Sequence, residues 1–183
     1  PITMGTCLLM LLAFYGTVII AEASKCDEDT IKKIKELWGE HVPKILETAV
    51  ANGKEVVIAT TPFYYDVDRK CVYSIFVKDK DQYKIINTEV PKRGSAITTV
   101  LPINEYEGYT NVPEKTVRRY YILYEGGVHL LYKCSTDGEI GPAEAAIKVR
   151  ASGYDKDKLS EARDIAKKLD MNLSTEFPES CLD

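Results

Sequence analysis

Residues 117–134 read VRRYYILYEGGVHLLYKC. Two runs rich in β-branched and aromatic residues flank Gly126-Gly127, and glycine tolerates the positive φ of a tight turn. The stretch therefore predicts an antiparallel hairpin, Val117 to Glu125 with Val128 to Cys134. The same pattern recurs upstream. Cys71 to Val77 (CVYSIFV) and Gln82 to Val90 (QYKIINTEV) flank a turn at Asp79-Lys80-Asp81, and Pro91 stops the second run. Val56 to Thr61 (stopped by Pro62), Ser95 to Leu101 and Ala146 to Arg150 complete seven strands. A loop through Pro102, Gly108 and Pro113 precedes the hairpin.

Helices flank this series. From Asp27 to about His41, Ile31, Ile34, Leu37 and Trp38 recur at helical spacing, with Asp27 or Asp29 as cap. Pro43 opens a second short helix with Ile45, Leu46, Ala49 and Val50 as its stripe, ended by Asn52-Gly53. Near the C-terminus, Leu159, Ala162, Ile165, Ala166 and Leu169 form one apolar face, with Asp155 or Asp157 as cap. Seven antiparallel strands must close or pair to remove their edges. The candidates are an up-and-down barrel and a sandwich. Short hairpins favour the barrel, since a sandwich needs long crossings. The expected class is mainly β: an up-and-down antiparallel β-barrel with N-terminal helices and one C-terminal α-helix packed on it.

Cys7 to Ile20 (CLLMLLAFYGTVII) carries no charge, and Ala21-Glu22-Ala23 follows it. This reads as a secretory leader, residues 1–23, starting at Met4 and cleaved before Ser24. Residues 24–183 then form a single domain, with no membrane insertion after cleavage. Four cysteines remain, Cys26, Cys71, Cys134 and Cys181. In a secreted chain they read as two disulfides, and the sequence permits three pairings. Asn172-Leu173-Ser174 is a glycosylation sequon.

The 24 basic residues against 28 acidic give a net charge of -4, with no basic run, so nucleic acid is not an expected partner. His41 and His129 are the only histidines. No metal or cofactor is expected, and no nucleophile motif, zinc-protease motif or phosphate loop is present. An enzyme is therefore not the expected reading.

Gly53 through Cys71 (GKEVVIATTPFYYDVDRKC) resembles the first strand and the start of the second in lipocalins of the bilin-binding and apolipoprotein D type. There a G-x-W opens a strand, a Pro ends it and a Lys/Arg-Cys follows. Leu131-Tyr132-Lys133-Cys134 is similar to that group's penultimate strand, Ile147 to Arg150 to its last strand with a closing Arg, and Cys181 to its tail cysteine. The resemblance covers roughly residues 53–181. It implies the pairing Cys26–Cys134 and Cys71–Cys181, and a secreted carrier of a small hydrophobic ligand of the fatty-acid, sterol, pigment or odorant class. Glu55 stands where the family has Trp, and an ion pair with Arg150 could substitute for the lost ring contact. The segment between Cys71 and Cys134 is short for the family, so one middle hairpin is expected to be trimmed.

Twelve Tyr against four Phe supply rings with an orienting hydroxyl, which suits a ligand cavity. Strand alternation then assigns the inward set. Val128, Leu130 and Tyr132 are apolar while His129 and Lys133 are not, so Leu130 and Tyr132 are expected inside. The same rule sets Tyr73 and Ile75 against Phe76 and Lys78, and Tyr83 and Ile85 against Lys84. Val57 and Ala59 are assigned inward on the first strand; on the fifth, alternation does not decide, because both faces carry Arg and Tyr, and Tyr121 and Leu123 are the expected inward pair. The alternative is that these residues fill a solid core or face outward beneath the helix, and a slip of one residue reverses every assignment. The alternative function is a secreted interaction module with a filled barrel, its loops binding a protein partner.

Overall fold

The computed structural model describes residues 25–62, 68–113, 115–138 and 142–182. The expected leader, residues 1–23, lies outside them.

Helix α1 (Glu28–Trp38) begins where Asp27 accepts from the N–H groups of Asp29 and Thr30, both at 3.2 Å. The Asp27 carboxylate also accepts from the Thr30 hydroxyl, and these bonds hold its pKa below the usual range. Helix α2 (Leu46–Asn52) has no capping side chain of its own. The carboxylate of Glu105 caps it instead, accepting from Ile45 N–H at 2.5 Å and Leu46 N–H at 3.3 Å.

The strands are β1 (Lys54–Thr60), β2 (Arg69–Asp79), β3 (Gln82–Pro91), β4 (Ile97–Tyr106), β5 (Tyr109–Asn111), β6 (Val117–Glu125), β7 (Val128–Ser135) and β8 (Glu144–Arg150). Each pairs antiparallel with its neighbour in chain order, and β1 pairs with both β8 and β2, which closes the barrel. The sandwich is thereby excluded. Helix α3 (Lys156–Lys168), capped by Asp155, follows β8, and the short β9 (Thr175–Glu176) pairs with β1. No described helix is long and apolar enough to cross a membrane.

Two features differ from expectation. The segment read as a loop holds the end of β4 and the three-residue β5. Because β5 is so short, no described strand covers the outer edge of β4 from Ile97 to Ile103. That edge tolerates Pro102, which lacks a ladder donor, and leaves Ile97 and Val100 more than half exposed (53% and 54%). β4 and β5 pair over only three residues each.

Disulfides join Cys26 to Cys134 and Cys71 to Cys181. The first ties the chain before α1 to β7, and the second ties the C-terminal tail to β2. The main apolar cluster lies outside the barrel wall. It comprises Val128, Leu130, Tyr132, Ile147 and Val149 under Ala162 and Ala166 of α3, with Ile34 and Trp38 of α1 over Tyr120. Trp38 Nε1 donates to Tyr121 O at 2.8 Å. Its ring occupies the space a Cβ would need at Gly108, so only glycine fits there.

Candidate functional site

The barrel interior has two zones. The closed half is filled by α2. Ile45 packs on Tyr121, Leu131 and Ala146, while Leu46 and Ala49 pack on Phe76, Ile85 and Ile103. At the C-terminal end of α2, Asn52 Nδ2 lies 3.2 Å from His129 Nε2. His129 stacks on Tyr124 at 3.8 Å between centroids, and its Nδ1 lies 3.2 Å from Glu55 Oε1. Tyr124 donates its hydroxyl to Glu55 at 3.2 Å, and burial followed by the Glu55 charge raises its pKa strongly. Lys148 donates to Ser74 Oγ at 2.8 Å, and Ser74 donates to Asn87 Oδ1 at 2.9 Å. Burial pushes the Lys148 ammonium down to about 8, against the pull of Glu55. A buried charged network therefore sits on top of the plug.

The open half is accessible and mixed in character. The alternation that turns Lys148, Ser74 and His129 inward also turns Thr99 and Leu101 of β4, Asn87 of β3, Arg119 of β6 and Lys133 of β7 inward. Thr99 is exposed, and Leu101, Asn87, Arg119 and Lys133 are half-buried. Lys133 Nζ lies 2.6 Å from Glu144 Oε2, and burial raises the Glu144 pKa against the opposing pull of that lysine. Arg69 and Glu89 pair at 2.5 Å nearer the rim. A separate cleft of about 410 Å³ lies at the closed end, between Leu46 of α2 and Tyr83 and Ile103 of the wall. Among the described residues, no group of three His, Cys, Asp or Glu side chains could hold a metal.

The structure divides the residues assigned inward by sequence. Val57, Tyr83, Ile85 and Tyr121 do face the interior, Val57 opposite Lys148 and the other three against or beside α2. Leu130, Tyr132, Ala59 and Leu123 face outward into the cluster under α1 and α3. Tyr73 packs outside with Val56 and the Cys71–Cys181 bridge, and Ile75 faces solvent. Two causes account for these corrections. The outer wall of β7 and β8 is a buried helix interface, so apolar residues mark the outside there and His129, Lys133 and Lys148 point in. Register shifts between Val57 and Ala59, and between Tyr121 and Leu123, reverse the face within a single strand. The expected Glu55–Arg150 pair is also replaced. Glu55 turns to His129 and Tyr124, and Arg150 Nε donates to Gly153 O at 2.7 Å. The inward charges were legible in one respect: an amphipathic helix after the last strand needs an apolar outer wall to cover.

A closed antiparallel barrel with a plug at one end and a helix on its flank is the lipocalin fold. No family model matches the chain, and no curated protein matches it in sequence. Solved structures do match. The cockroach major allergen Per a 4 is 13% identical, with a TM-score of 0.61 over 75% of this chain and 88% of that one. Lobster apocrustacyanin A1 is 18% identical, with a TM-score of 0.57 over 81% and 87%. The amine-binding protein of Rhodnius prolixus, solved with tryptamine, is 14% identical, with a TM-score of 0.54 over 71% and 78%. At these identities the likeness is one of fold.

Proposed function

We propose that the protein is an extracellular carrier, not an enzyme, that takes a small, largely apolar molecule into the open half of its barrel. The observation that carries this reading is the accessible inward surface of Asn87, Thr99, Leu101, Arg119 and Lys133, opposite the end that α2 plugs. A rigid wall with a few placed polar groups is how small-molecule sites are built. The Rhodnius relative in fold, solved with an amine, supports a binding role. Two long-range disulfides support an oxidising compartment and, with it, cleavage of the leader before Ser24. Asn172 is exposed in a loop after α3, which supports its use as a glycan acceptor.

Native mass spectrometry of the oxidised protein against fatty acids, sterols, tetrapyrroles and aromatic amines tests the reading. One-to-one adducts with at least one class are expected, and no adduct across the panel contradicts it. The interaction-module reading keeps one specific support, a closed half filled by α2 with a free edge on β4.

A further inference from the structure

One row of side chains crosses the inner wall: Glu105 on β4, Thr110 on β5, Arg119 on β6, Lys133 on β7 and Glu144 on β8, each paired with the next. Directly opposed residues on one face hold their Cβ atoms about 5 Å apart, so these groups sense one another. Glu105 is engaged by the N–H groups at the start of α2, and Glu144 by Lys133. Below the row, Lys148 lies against Glu55 electrostatically. Among the described residues, Arg119 is the cation of this interior with no acid bonded to it, although it shares the field of Glu144 with Lys133.

Among the described residues, two polar atoms in the row have no hydrogen-bond partner. They are Arg119 Nη1 and the Thr110 hydroxyl, and both atoms are buried, with the whole Thr110 residue fully buried. Buried donors are normally satisfied. These two sit on directly paired residues, one a guanidinium fork and the other a hydroxyl. Their common complement is an acceptor with two oxygens and one negative charge.

We propose that Arg119 and Thr110 form the seat for the carboxylate of an amphipathic monocarboxylate, its apolar chain running along Leu101 and Ile97 toward the open end. The assignment rests on the carrier reading above and deepens it. A guanidinium matches a carboxylate in a two-pronged bond, which a lysine point charge does not. Glu144 next to the seat disfavours a dianion, and the three cations Arg119, Lys133 and Lys148 disfavour an ammonium head.

Isothermal titration of the full, oxidised protein with decanoate, 1-decanol and decylamine at pH 7.5 tests the seat. A charge-assisted bond in a partly buried site predicts that decanoate binds about 10- to 100-fold tighter than decanol, with decylamine the weakest. Arg119→Gln removes that preference by weakening decanoate alone, and Thr110→Val reduces it several-fold. Arg119→Lys, which keeps the charge without the fork, retains only part of it. Equal affinity for decanoate and decanol in the unmodified protein overturns the seat while leaving the carrier reading intact, and needs no variant to fold. A preference that survives Arg119→Gln overturns it as well. Binding of none of the three overturns the seat, and the carrier reading is then decided separately by the mass-spectrometry panel.

Discussion

Glu55 Oε1 lies 3.2 Å from His129 Nδ1, and neither side chain reaches solvent. With Tyr124 and Lys148 in the same network, the centre of this barrel is polar and charged, while the apolar core lies outside it under α1 and α3. Buried charge is tolerated where every member has company. A change to one member should therefore depend on the others.

Lys148→Met in the unmodified protein leaves Glu55 without its nearby cation and should destabilise, and in a Glu55→Gln background it should cost much less. Urea unfolding of the four-protein cycle is expected to give a coupling of about 1–3 kcal/mol. Additive effects would show that the two groups do not sense each other.

The lysine also predicts a pH dependence. Its pKa falls from 10.5 to about 8 on folding. Between those values the unfolded chain holds the proton and the native one does not, so native stability rises with pH from about 8 to 10.5. Full expression of the shift is worth about 3 kcal/mol. Lys148→Met should flatten this rise in unfolding midpoints measured across that window.

Gly108 has φ +76°, and a Cβ there would meet the Trp38 ring at 2.2 Å. Gly108→Ala should cost about 2–4 kcal/mol through overpacking and backbone strain. Trp38 is the sole tryptophan, so its emission should shift to the red as the ring leaves its bond to Tyr121 O.

Glu105→Ala removes both acceptors at the start of α2. A loss of about 1–2 kcal/mol is expected. Faster hydrogen exchange across residues 45–52 than elsewhere in the barrel would show that Glu105 holds the plug.

The Cys71–Cys181 bridge spans 110 residues and fastens the tail to β2. Replacing both cysteines with Ala should lower stability by about 4–5 kcal/mol on a chain-entropy basis, as read from the urea midpoint. An unchanged midpoint would contradict the role given to the bridge.

The strand series and the Gly126-Gly127 hairpin were legible because each follows from local chemistry, and the cap of α3 was legible as a choice between Asp155 and Asp157. The disulfide pairing came from the resemblance and matches the structure. The interior was less legible, because alternation reveals two faces and not which of them is inside. Leu130 and Leu131 are equally apolar neighbours, yet Leu130 lies under α3 and Leu131 meets Ile45 of α2. Only the placement of α2 within the barrel and α3 outside it decides between them. The bulges at Val57/Ala59 and Tyr121/Leu123 leave no composition signal either.

As a carrier, the protein would receive its ligand in the open half of the barrel and not in the plugged half. Amide chemical-shift mapping during titration with an adduct-forming ligand distinguishes the two halves. Shifts are expected to concentrate at residues 87, 99, 101, 119 and 133, with 46, 49, 55 and 129 little changed. Shifts confined to the outer edge of β4, or centred on the cleft beneath Leu46, would contradict this placement of the ligand.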